Sequence, residues 1–199
     1  MSGTVIDDII DFWFGRLDEH GQADAGQAAR WWKKDPAFDE EIRTRFEPVH
    51  RAIHARELEN WLVDPRGRVA QIVVLDQFSR NMYRGTPAMF ASDPRALQLV
   101  QDGLDRGDDR ALPRDPRAFF YMPLVHTEDL AAQDRAVALF TELSDETPPD
   151  RRERAAAMVK YAGMHRDIVH RFGRFPHRNA ILGRAPRPAE VVAGDVVPW

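Results

Sequence analysis

The stretch HRDIVHRFGRFPHRNAILGR, residues 165–184, gathers Arg171, Arg174, Arg178 and Arg184 with His165, His170 and His177. Phe172, Phe175, Ile181 and Leu182 lie between them, in a chain whose formal net charge is −4. Guanidinium groups are planar forks that fit carboxylate and phosphate, and an aromatic ring beside them supplies an apolar wall. Gly173 and Pro176 place 173–179 in a loop beyond a helix end, where binding groups commonly sit. Arg174, Arg178 and His177, joined by Arg80 and Arg84, could therefore line a pocket for an anion. The alternative is structural: the same arginines cap helix ends and neutralise internal acids such as Asp76.

Inward polar positions give a second set of candidates. Met158, Tyr161, Ala162, Ile168, Val169 and Phe172 form one helical stripe, and His165 falls in its middle, so it must find a hydrogen-bond partner. Asp76 and Arg80 stand four apart on the Val69/Ile72/Val73/Tyr83 face, acid first, which is the favourable order for a pair. His126 shares a face with Phe119 and Met122. An inward histidine can carry a shifted pKa, so His126 and His165 are the candidates for acid–base work. No cysteine, no G-x-S-x-G elbow and no H-E-x-x-H spacing is present, so neither a nucleophilic triad nor a metal centre is expected. No cofactor is implied. His50 and His54, four apart, read as solvated residues beside the Phe38/Ile42/Val49/Ile53 face, and Trp13, Trp31, Trp32 and Trp61 as packing residues.

The elements that must hold these residues read as helices throughout. Asp-Pro recurs at 35–36, 64–65, 93–94 and 115–116, and each pair reads as an N-cap followed by a proline preset for the first turn. Helix-period patterns follow at about 4–14, 25–33, 36–60, 65–83, 94–106, 116–127, 129–143, 149–172 and 187–193. No segment alternates with a period of two. The expectation is an all-α fold, one domain over 1–199, built of antiparallel helical hairpins. The apolar tail 196–199 is expected to dock.

Composition narrows the function classes. Hydrophobic residues make up 43% and charged residues 30% of the 199 positions, as in globular domains. No apolar run approaches the ~20 residues of a membrane span. A pI near 6.0 weighs against broad nucleic-acid binding. The absence of cysteine and of a basic, apolar leader makes the cytoplasm the default location. Oligomeric state is not legible.

Three longer stretches carry a resemblance: VLDQFSRNMYRGTPAMFASDPRA (74–96), DPRAFFYMPLVHTEDL (115–130) and residues 165–184, with DFWFG (11–15) and WWKKDPAFD (31–39) towards the N-terminus. Together they resemble a bacterial family catalogued as domain of unknown function nine-two-four. The resemblance covers about 5–195 and implies a tetratricopeptide-like all-helical fold, without implying an activity. By motif it points to Asp76, Gln77, Arg80, Asn81, Arg84, His126, Glu128, His165, Arg171, Arg174, His177, Arg178 and Asn179. Two functions follow as expectations. The first is a binding module for an anionic small molecule or an acidic peptide. The second is an enzyme on an anionic metabolite, with an inward histidine as acid–base and arginines as clamps.

Overall fold

Aspartate carboxylates start the helices. In the computed structural model, which describes residues 4–194, 196 and 197, Asp35 accepts from the N–H groups of Ala37 and Phe38, and Asp64 accepts from that of Arg66. These carboxylates satisfy donors that a helix leaves open at its N-terminus, and Pro36 and Pro65 follow in the first turn. The other two Asp-Pro pairs are used differently. Asp93 is itself the first helical residue and binds Arg80, and Asp115 accepts from the N–H of Ala23 at 2.7 Å.

The α-helices are α1 (Val5–Phe14), α2 (Ala25–Trp32), α3 (Pro36–His54), α4 (Pro65–Val73), α5 (Ser79–Met82), α6 (Asp93–Arg106), α7 (Arg114–His126), α8 (Leu130–Asp145), α9 (Arg152–Phe172) and α10 (Pro188–Ala193). Among the described residues no strand forms, and the fold is all-α. Among the described residues, no helix is long and apolar enough to cross a membrane. Two boundaries differ from the sequence pattern. The expected 36–60 helix stops at His54, and Arg56 adopts a left-handed φ of 59°. The expected 65–83 helix is interrupted by a π-helical turn at Val74–Phe78 between α4 and α5.

The chain divides into two units, 1–84 with 88–120 and 85–87 with 121–199. In the first, Trp13, Phe14, Phe46, Phe78 and Phe119 are buried, and their rings meet in stacked and edge-on pairs with Phe12, Phe38 and Trp31. α3 runs antiparallel to the α4–α5 arm: Asn81 meets Asp39, Tyr83 meets Glu47 and Ser79 meets His50. Trp32 departs from the packing expectation, with 51% of its surface exposed.

In the second unit α8 and α9 form an antiparallel hairpin, with Asp134 near the start of one bonded to Arg166 near the end of the other. Asp129 caps α8 through the N–H of Ala132. Ile168, Val169, Phe172 and Phe175 form a buried cluster, and Leu130, Ala193 and Val196 pack against it. The apolar tail therefore docks through Val196; Pro198 and Trp199 lie outside the described residues.

Candidate functional site

The basic loop is anchored by its apolar residues. α9 ends where Gly173 takes a left-handed φ of 69° and its N–H returns to the carbonyl of Val169 at 2.7 Å, a geometry that costs glycine little. The chain then turns inward at Phe175, which is fully buried and whose N–H donates to Glu128 Oε1 at 2.8 Å. Pro176–Arg178 form one tight 3₁₀ turn.

With the backbone fixed in this way, the arginines meet acids and carbonyls. Arg174 grips Glu190 with Nε to Oε1 at 2.6 Å and Nη2 to Oε2 at 2.8 Å. Oε2 also accepts from Asn179 Nδ2 at 2.9 Å and from the N–H of Arg187 at 2.8 Å. The Arg174 hydrogen bond is the main reason Glu190 is pulled down to about 2; burial opposes it, and the Arg187 N–H and Asn179 reinforce it. Arg184 forks onto Glu128 at 2.7 and 2.9 Å. Burial resists ionisation of Glu128, but Arg184, the Phe175 N–H and the Arg178 charge together hold its pKa below the usual value. Arg178 is buried, stacks 4.6 Å from the Phe175 ring centre and donates to the carbonyl of His126 at 2.8 Å. Arg171 is exposed and lies 4.8 Å from the Phe172 ring centre.

Beneath this layer lies a group of histidines. His165 is 2% exposed, as its place in the apolar stripe requires, and its Nδ1 lies 2.9 Å from the carbonyl of Tyr161. Burial first, then the neighbouring His126, push it down to about 3; His177 and Arg178 add to the fall, and the Tyr161 carbonyl resists it. At neutral pH the ring is uncharged. A carbonyl only accepts, so Nδ1 carries the proton and Nε2 the lone pair. His126, also buried, sits 6.2 Å from His165 ring to ring. The Phe175 ring neighbours both His165 and His177, at 5.6 and 5.4 Å. Burial and then Arg178 push His177 down to about 4, partly offset by Glu128 and by a hydrogen bond to the backbone of Val196.

His177 reaches a cleft of about 430 Å³. Its polar lining is His177, Asn179, Arg184 and Glu190, and Ala180, Pro186, Val191 and Val196 are among its apolar residues. A few hydrogen-bonding groups set in an apolar wall are what a small-molecule site requires.

The remaining candidates belong to the first unit. Asp76 is fully buried; Arg80 bonds it at 3.0 Å and forks onto Asp93 at 2.9 and 3.0 Å, and Gln77 donates to Asp76 at 2.6 Å. Asn81 and Arg84 both bind Asp39. The structure thus gathers Arg174, Arg178, His177, Asn179, His126 and His165 in one unit, and places Asp76, Arg80, Asn81 and Arg84 in the other.

One cluster is missing from the sequence reading. His50, expected to be solvated, is 6% exposed. Its Nε2 lies 2.9 Å from Ser79 Oγ and 3.1 Å from Ser92 Oγ, and His54 Nε2 lies 2.7 Å from Ser92 Oγ. Burial, followed by His54, pushes His50 down to about 4. The cause of the misreading is the face of α3. Phe46 is buried and Val49 only partly so, which shifts the inward stripe towards His50. Among the described residues, no group of three or more histidine, aspartate or glutamate side chains is placed to hold a metal ion.

Comparison with known proteins agrees with the architecture. A solved structure of a protein of unknown function from Agrobacterium tumefaciens is similar at 40% identity and a TM-score of 0.79, over 95% of this chain and 96% of that one. The comparison with curated proteins gave no match. The model of the family described as bacterial protein of unknown function (DUF924) matches residues 9–193. The chain belongs to that bacterial family.

Proposed function

We propose that the protein is a binding module whose cleft in the second unit takes a small molecule carrying an oxyanion on an apolar body. The observation that carries this reading is the cleft itself. Asn179, Arg184, His177 and the Arg174-paired Glu190 line it together with Ala180, Pro186, Val191 and Val196. Hydrogen-bonding groups and aliphatic carbon in one cleft suit a carboxylate or phosphate with a hydrocarbon part. Arg184 keeps a quarter of its side chain exposed while its Nε holds Asn179 Oδ1 and its Nη atoms hold Glu128 and the carbonyl of Phe175, so it meets a ligand as an already paired ion. A tetratricopeptide-like stacking of hairpins and a cytoplasmic location are parts of the same proposal, since hairpin stacks present such surfaces.

The reading is tested by thermal shift on the metal-stripped chain with hexanoate, hexyl phosphate and hexanol, repeated on Ala180→Trp. Ala180 is an exposed cleft residue, so a bulky side chain there fills the cleft and leaves the ion pairs intact. The anions raise the wild-type midpoint by mass action. Hexanol does so less, and the variant shows no shift. Equal shifts in the variant would contradict the reading.

An acid–base enzyme is the second reading. It is favoured by the tautomer of His165, which leaves an uncharged ring with a lone pair at Nε2. A general base needs that lone pair, but a ring pushed down to about 3 is a weak base, and His165 is 2% exposed and absent from the cleft lining, so this reading stands second.

A further inference from the structure

We infer that the cleft takes up its oxyanion together with a proton, which His177 binds. The inference rests on the reading just given and concerns the charge that holds the ligand. The fixed charges at the cleft are matched in pairs. Arg184 is held by Glu128 at 2.7 and 2.9 Å, and Glu190 is held by Arg174 at 2.6 and 2.8 Å. Detaching either arginine to serve a ligand would leave a shielded carboxylate without its partner, which is strongly unfavourable. Paired ions add little net attraction for a further charge. Glu190 is held ionised by Arg174, so among the described lining residues His177 is the one that can gain a charge near neutral pH.

The groups facing His177 come from several elements. Arg178 is its neighbour in the turn, His126 ends α7, and Glu128 lies in the turn before α8. His165 on α9 shares the Phe175 ring as a neighbour with His177. Arg184 and Glu190 line the same cleft. Without a ligand, burial and Arg178 outweigh Glu128 and keep the imidazole neutral. An oxyanion lodged in the cleft adds an uncompensated negative charge beside the ring and favours the imidazolium. The proton comes from solvent and returns there on release. One N–H bond forms on binding and breaks on dissociation, and nothing is oxidised or reduced.

Linkage then fixes the direction. Because the bound state holds more protons, affinity tightens as pH falls, by at most about tenfold per pH unit for one proton. The test uses sulfate, fully ionised between pH 6 and 8, and hexanoate, an aliphatic carboxylate at least about nine-tenths ionised there, so that the proton consumed is taken by the protein. A pH-stat counts protons as each anion is added to the full chain at pH 6.5, and dissociation constants are measured from pH 6 to 8. The expected result is a fraction of one proton per bound anion, with tighter binding at pH 6 and no uptake in His177→Gln. Should that variant fail to fold, the ring shifts of His177 in the wild type, followed by NMR with and without sulfate, decide the matter. Binding without proton uptake, uptake that persists in His177→Gln, or an anion-independent ring titration would overturn the inference and leave the cleft reading standing. No binding of either anion at pH 6 would overturn both.

Discussion

Arg174 and Glu190, sixteen residues apart, form a forked pair at 2.6 and 2.8 Å that ties the loop after α9 to α10. Arg174 also donates to the carbonyl of Ala185 at 2.8 Å. In this arrangement the guanidinium closes the loop. Arg174→Ala is therefore expected to lower the melting temperature in the absence of any ligand. Adding Glu190→Gln to that variant should restore part of the loss, because it removes the stranded charge. A calorimetric scan of the single and double variants checks both; an unchanged single variant contradicts the structural role.

The pH dependence of stability has a defined sign. His50, His165 and His177 are pushed down to about 4, 3 and 4. Between those values and 6.5 the unfolded chain binds protons that the native chain excludes, so stability is complete above 6.5 and falls as pH drops through this window. His165 alone is expected to contribute about 2 kcal/mol of loss by pH 5. Urea midpoints at pH 7 and 5, for the wild type and His165→Asn, should show a smaller drop in the variant. Glu190 adds a later loss below pH ~4.5, as its carboxylate is protonated away from its partners.

Packing in the first unit gives a third expectation. A Cβ on Gly67 would collide with the carbonyl oxygen of Trp61, and the 3₁₀ turn at Glu59–Val63 offers backbone rather than a side chain to yield. Gly67→Ala should cost about 2–3 kcal/mol, well beyond any gain from helix propensity. Denaturant titration reads this directly, and a neutral or stabilised variant would contradict the close approach.

Much of this was legible one element at a time. The inward place of His165 follows from its stripe, the Asp76–Arg80 pair from a spacing of four, and the caps at Asp35 and Asp64 from the Asp-Pro device. What failed depended on contacts between elements. No local pattern selects Glu190 as the partner of Arg174, because the choice is made when α10 folds back onto the loop. The π-turn at Val74–Phe78 leaves no periodic signature, since one added residue per turn is lost in a segment that is buried all round. Asp93 and Asp115 looked like caps and were recruited by Arg80 and Ala23.

The buried His50 and its neighbour His54 supply a fourth expectation. Ser92 precedes α6 without capping it, and its hydroxyl meets His50 and His54 instead. Ser92→Ala should cost about 1–3 kcal/mol through those hydrogen bonds. With His54→Ala the two losses should sum to more than the double variant loses, since the residues share one contact. Strict additivity in a double-mutant cycle would show that the contact contributes nothing.

The proposed binding cleft is tested most directly by following backbone amides during a titration with hexanoate at pH 6.5. The account predicts saturable shifts concentrated at residues 177–180, 184 and 190–197, abolished by Ala180→Trp. Shifts centred on the first unit, or none at saturating hexanoate, would contradict it.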